Sequence, residues 1–254
     1  MCGKASVQIR WKDVYAWATS LTPPAALPPD PEPRINVSPS RLRRKSEPDS
    51  MEWETLPVVR AVNGVDQPEE ATWPYLPAWS NGRLPVLKSG KLLSTANARF
   101  KQDNPPFAPT YMHAWERDGR VLVVVSWFYE FDSRVRPQVP YAVFPLNQPF
   151  WVMAGLCSLQ RSADGVEQVS VAVITVEPNE VLKSVGHHRS PALLRSPDEA
   201  GAWLHGGRAE ALALLRPYTN ESMGVEAVPM GIKIPGNEKI ALPGVLGDRF
   251  LDAW

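Results

Sequence analysis

The chain has 254 residues, 44% of them apolar and ten of them tryptophan, which is enough for a substantial buried core in one domain or at most two. Lys and Arg total 27 against 27 Asp and Glu, so the molecule as a whole does not attract polyanions, and any nucleic-acid contact must come from a local patch. The start, MCGKASVQIRWKD, lacks the apolar core of a secretory signal, no apolar run approaches the roughly 20 residues that span a bilayer, and two cysteines make no disulfide framework. These features predict a soluble, cytoplasmic protein with no membrane contact.

Along the chain, Ala5 to Ile9 alternates, and Trp11, Val14, Tyr15 and Ala18 then fall at helical spacing within 11–21. Prolines between Pro23 and Pro33 break regular structure; the 27 in the whole chain imply many turns and few long helices. Arg34, Arg41, Arg43, Arg44 and Lys45 follow with no acidic residue in 34–45, a run that reads either as a solvated face or as a phosphate contact. Strand signals rich in Val and aromatics cover 120–131, 141–144, 150–156 and 168–176, with Asp118-Gly119 and Asp164-Gly165 as candidate hairpin turns. Asn179 to Val185 is apolar at helical spacing. Ser196-Pro197-Asp198-Glu199 reads as an N-cap, a proline at the first helical position and a capping-box glutamate for a helix to about Leu204, and Arg208 to Leu215 makes another. From Tyr218 onward the chain reads as irregular. The expectation is an α+β fold, one domain over 1–254, with strands in the centre and short helices around them.

Cys2 is the first residue with distinctive chemistry. Removal of Met1 leaves an α-amine, of ordinary pKa about 7.7–8.0, on the carbon next to a thiol of about 8.5. An amine condenses with an aldehyde to an imine, and the adjacent thiol can close that imine into a thiazolidine. Three further segments carry candidate residues. Thr95-Ala96-Asn97-Ala98-Arg99 follows a turn. Trp127-Phe128-Tyr129-Glu130-Phe131 sets one carboxylate in an aromatic strand, where an inward position would raise its pKa toward general acid–base use and an outward one would leave it solvated. Gly186-His187-His188-Arg189-Ser190-Pro191 ends a helix with a histidine pair, a polar helix end in its plainest reading.

Taken in order, these segments resemble the SRAP (SOS response-associated peptidase) family. Met1-Cys2-Gly3 resembles its start, Arg34 to Pro39 its Tyr-Asn-x-Ala-Pro segment, and Trp73 to Trp79 its Trp-Gly-Leu-Ile-Pro-x-Trp segment. Asn97-Ala98-Arg99, Phe128-Tyr129-Glu130 and Ala154-Gly155-Leu156 match family triplets, and Ile174 to Asn179 and His187 to Pro191 resemble two more segments. The resemblance covers roughly 2–204 and implies a mainly antiparallel, barrel-like β core with flanking short helices. It also implies a protein that caps abasic sites in single-stranded DNA through a covalent crosslink, as a monomer without cofactor or metal, acting at the nucleoid during repair. By this likeness Cys2 supplies amine and thiol, Asn97 holds the N-terminus, Glu130 is the general acid–base, and His187 serves the sugar oxygen as the ring opens. Arg99 contacts a phosphate with help from Lys4, Lys101 or the Arg43-Arg44 run, and Trp73 and Trp79 are core or base-stacking residues.

The chain departs from the family at Lys4, where arginine is usual, and at Phe100-Lys101-Gln102, where an acidic residue is usual. It departs again at Val124 to Trp127, which replaces Pro-Ala-Asp-Gly, and at His188, which replaces Asp or Asn and competes with His187 for the functional assignment. Two other readings stay open: a cysteine peptidase or amidase with Cys2 as nucleophile, and a single-stranded DNA or partner-binding module without chemistry. A metal site is not expected, because adjacent His187 and His188 do not share one helical face.

Overall fold

The structure, a computed structural model, describes residues 3–39, 41–43, 51–161 and 167–228. Short runs of β-branched and aromatic residues, cut by proline and glycine, give short elements. In chain order these are β1 (Lys4–Val7), α1 (Trp11–Trp17), β2 (Arg34–Val37), β3 (Arg41–Arg43), β4 (Met51–Val62), β5 (Val65–Trp73), β6 (Asn97–Arg99), α2 (Pro109–Glu116) and β7 (Arg120–Val125). There follow β8 (Trp127–Asp132), β9 (Val139–Pro145), β10 (Trp151–Arg161), β11 (Glu167–Val176), α3 (Glu180–Ser184), β12 (Ser190–Pro191), α4 (Pro197–His205), α5 (Arg208–Ala213) and β13 (Met223–Ala227). Among the described residues no helix is long and apolar enough to cross a membrane.

Five strands close a ring. β10 pairs with β7, β7 with β4, β4 with β5, β5 with β11 and β11 back with β10. All these pairings are antiparallel except β5–β11, which run parallel and meet at Thr72 and Ser170. Closure leaves fewer open edges than a flat sheet of the same strands would have. A second sheet, in the order β13-β9-β8-β1-β2, stands beside the ring. The fold is thus α+β with a mostly antiparallel, barrel-like core, as expected from the sequence.

Where the sequence suggested one strand over 120–131, the structure makes two. Ser126 breaks the run: its N–H donates to Ser6 O at 2.9 Å and its hydroxyl accepts the Gln8 N–H at 2.8 Å. The chain leaves the ring as β7 and enters the second sheet as β8. Asp118-Gly119 is a helix-to-strand turn instead of a hairpin: the Gly119 N–H caps α2 by donating to Ala114 O at 2.8 Å, with Asp118 left-handed at φ 51°. Asp164-Gly165 lies outside the described residues. The longest hairpin, β4–β5, turns at Asn63-Gly64 with φ of 51° and 81°, the pair of positive values a two-residue turn between right-twisted strands demands. Residues 223–227, expected to be irregular, form an edge strand on β9.

The core is built on tryptophans that are buried yet hydrogen-bonded. Trp73, Trp151 and Trp203 donate their indole N–H to Ala96 O, Val143 O and Val121 O at 3.0, 2.9 and 2.9 Å. Each thereby buries a large apolar body without stranding its one donor. α4 begins as read from the sequence, with Ser196 Oγ accepting the Glu199 N–H at 3.2 Å, but the Glu199 carboxylate reaches Arg195 N at 2.9 Å, one residue before the cap.

Candidate active site

His187 arrives on a helix closed at both ends. Asn179 Oδ1 accepts the Leu182 N–H at 3.1 Å and starts α3. At the other end Gly186 takes φ +76°, its N–H donates to Lys183 O and the His187 N–H donates to Leu182 O, each at 3.0 Å. This is a Schellman closure, whose left-handed residue glycine supplies without a Cβ clash. A five-residue helix is too short to hold itself in water, so these caps and its packing fix the backbone of His187.

Glu130 comes from the second sheet and is 1% exposed. Its Oε2 lies 2.7 Å from His187 Nε2, and the two side chains are 2% and 10% exposed. The proton count follows from the other ring nitrogen. His187 Nδ1 sits 2.8 Å from Arg189 O, a carbonyl that only accepts, so Nδ1 carries hydrogen. A deprotonated Nε2 facing a carboxylate would set two lone pairs against each other. The contact therefore holds one proton, on imidazole or on carboxyl, and the pair is neutral overall in either position. Such a pair can pass a proton without leaving a bare charge in a low-dielectric site.

Asn97 stands on β6, which runs parallel to β11 with Val173 opposite Asn97 and Thr175 opposite Arg99. The Tyr111 hydroxyl donates to Asn97 O at 3.0 Å. The other side of this end of β11 takes β12, with Pro191 opposite Thr175, so Asn97, Arg99 and the 187–191 turn are gathered by one strand end. β1 lies antiparallel on β8, the strand of Glu130, with Lys4 opposite Tyr129 and Ala5 opposite Phe128. Cys2 and Arg44 lie outside the described residues. Arg43 has only its backbone described, as the end of β3.

Of the residues read as DNA contacts, Arg99, Lys101 and Trp79 are exposed, Trp79 by 63%. They fall in residues 71–102, which hold five basic side chains and no acidic one. Lys4 Nζ is 5.7 Å from the centroid of Phe131. Trp73 is a correction. It is 0% exposed with its N–H spent on Ala96 O, so it packs the core and offers no face to a base.

Two neighbours of His187 matter more than the sequence suggested. The His188 ring stacks on it at 5.4 Å and 21°, although adjacent residues were expected to diverge. Burial, followed by the charge of His187, holds His188 below the ordinary histidine range. Arg189 is 4% exposed, bonded to Glu177 and to Thr175 O. Burial lowers its guanidinium pKa, and among its charged neighbours Glu177 opposes that while Arg99 adds to it. The His-His-Arg triplet was its signal in the sequence. Cys157, the other cysteine, is buried in β10, and burial pushes its thiol up to about 12, which leaves it inert near neutrality. Among the described residues no cluster of histidine, cysteine and carboxylate side chains is arranged to hold a metal ion.

The chain is similar to abasic site processing protein YoaM of Bacillus subtilis, 24% identical over 67% of this chain and 72% of that one. It is also similar to abasic site processing protein HMCES of Gallus gallus, 26% identical over 58% of this chain and 49% of that one, so the match spans about half of the chicken protein. Two solved structures from Bordetella bronchiseptica share the fold. One has a TM-score of 0.65 at 18% identity, covering 90% of this chain and all of the other. The second, a phage-related protein, has a TM-score of 0.61 at 22% identity, covering 89% and 94%. Residues 1–234 match the family described as SOS response associated peptidase (SRAP), and the chain belongs to that family.

Proposed function

We propose that this protein processes abasic sites in single-stranded DNA by forming a thiazolidine crosslink through Cys2. The observation that carries the reading is the 2.7 Å contact between buried Glu130 and His187, on the strand that pairs with β1. Relatives named as abasic site processing proteins support the substrate class.

An abasic deoxyribose opens from its hemiacetal when a proton moves from the C1′ hydroxyl to the ring oxygen, and the Glu130–His187 pair can take the first and supply the second. The Cys2 amine then attacks the C1′ aldehyde. Its two N–H protons pass by way of Glu130 and His187 to the aldehyde oxygen, which leaves as one water, and a neutral imine forms. The thiol adds to the imine carbon, a C–S bond forms, and the thiol proton ends on nitrogen. The steps are proton transfers, additions and one loss of water, with no change of oxidation state, so no oxidant enters. Asn97 positions the N-terminus, and Arg99 with Lys4 and Lys101 balances the phosphates. Trp79 offers the exposed ring on which a base can stack.

The test mixes full-length protein, with loss of Met1 confirmed by mass, with a single-stranded oligonucleotide carrying one abasic site. A slower band is expected on a denaturing gel. Cys157→Ala should keep it and Cys2→Ala should abolish the stable adduct, leaving at most a reversible imine. Absence of a band from the wild type sinks the proposal. Cleavage of peptides that depends on Cys2 without any adduct would favour a peptidase.

A further inference from the structure

We infer that Arg134 and Asp132 are positioning residues that hold the turn carrying His187 against Glu130. The inference rests on the reading of Glu130 and His187 as the proton-transfer pair.

Asp132 closes β8 two residues beyond Glu130, and its side chain is 8% exposed. Arg134 grips it in a fork: Nε donates to Oδ1 at 2.9 Å and Nη2 to Oδ2 at 2.7 Å, while the Arg134 backbone N–H donates to Oδ1 at 2.9 Å. These hydrogen bonds hold the Asp132 carboxyl below its ordinary range, so it stays ionised. The same Nη2 donates to Ser184 O at 2.8 Å, the last residue of α3, where a cation meets the carbonyl end of the helix. One guanidinium thus ties the end of the glutamate strand to the end of the histidine helix.

Gly186 shows how tightly the clasp closes. A Cβ at Gly186 would overlap the Asp132 carboxylate and stand 2.6 Å from Arg134 Nε. The backbone immediately before His187 therefore rests directly on the ion pair, and glycine is required there for space as well as for its positive φ. Without Arg134 the turn keeps its own backbone hydrogen bonds and loses this tie to β8. Proton transfer is steep in distance, so a shift of the imidazole by a fraction of an ångström slows chemistry while substrate binding is unchanged.

The experiment compares wild type, Arg134→Ala and Arg134→Lys. One readout is the low-field proton resonance of the His187–Glu130 hydrogen bond, assigned by its loss in Glu130→Gln. The others are the crosslinking rate at saturating abasic oligonucleotide and the affinity for an oligonucleotide carrying a tetrahydrofuran site, which cannot form the imine. Arg134→Ala is expected to broaden or lose the resonance and slow crosslinking about tenfold with affinity within about twofold, and Arg134→Lys to recover part of both. An unchanged resonance overturns the inference, whatever the rate does. So does a loss confined to affinity, which would make Arg134 a DNA contact. Absence of crosslinking in the wild type would sink the reading of the pair's function, and the resonance alone would then decide the clasp. If Arg134→Ala does not fold, Gly186→Ala disturbs the same contact from the other side and is held to the same criteria.

Discussion

Two histidine–carboxylate contacts stand among the described residues, and they differ in what surrounds them. His205 Nε2 lies 3.0 Å from Asp66 Oδ1, with the imidazole 48% and the carboxylate 1% exposed, whereas His187 Nε2 lies 2.7 Å from Glu130 Oε2 with 10% and 2%. Asp66 is served independently by the Thr22 N–H at 2.7 Å, and His205 sits in the last turn of α4, where its ring faces water on one side. That pair ties a helix end to the β4–β5 hairpin. In the other, a carbonyl fixes the far nitrogen and both groups are largely buried. A histidine beside a carboxylate becomes a proton relay when its tautomer is set and water is excluded, and short distance alone does not achieve this.

The largest effect that can test this contrast is on rate. Glu130→Gln keeps the shape and removes the proton acceptor, and crosslinking in a single-turnover gel assay is expected to fall about a hundredfold. His205→Ala in the same assay is expected to match wild type. Equal losses in the two variants would erase the distinction between relay and tie.

The next effect is on stability and runs the other way. His205→Ala leaves a buried carboxylate with the Thr22 N–H but without its imidazole, and is expected to cost about 1 kcal/mol, a value kept low by the exposure of His205. The measurement is the urea midpoint at unchanged slope. A midpoint equal to wild type would show that Thr22 alone satisfies Asp66.

Much of the proposed site could be read from residue types in order. Cys2, Asn97, Glu130 and His187 each carry a distinctive group, and the caps at Asn179 and Gly186 that place His187 have recognisable signatures. The inward side of Glu130 could not be read. β8 is buried on nearly every residue, so alternation between its faces carries no information. The apolar run through 120–131 likewise hid the change of sheet at Ser126, because both sheets demand the same residue types. The β4–β5 hairpin was missed for the opposite reason. Its Asn63-Gly64 turn is a strong signal, but Pro57, Pro68, Glu69 and Glu70 made its flanks look unlike strands. The Arg134–Asp132 clasp uses two common surface residues and becomes visible only when the end of α3 is packed beside them.

The smallest expected effect separates the two stacked histidines. Burial and the neighbouring charge of His187 depress the pKa of His188 in the folded state. Well above the ordinary histidine value, near 6.5, folded and unfolded chains both hold a neutral His188 and the residue adds no pH dependence. As pH falls through that value the unfolded chain takes up the proton first, so stability declines until the lower folded-state pKa is passed. His188→Gln removes this proton uptake, and the acid limb of Tm against pH, between about pH 7 and 5, should become shallower while Tm at pH 8 hardly changes. Because His188 is exposed the change is small. The same variant is expected to crosslink at close to the wild-type rate, since His187 makes the contact with Glu130. A hundredfold slower His188→Gln would move the proton-transfer role to the outer ring of the stack and leave His187 as its support.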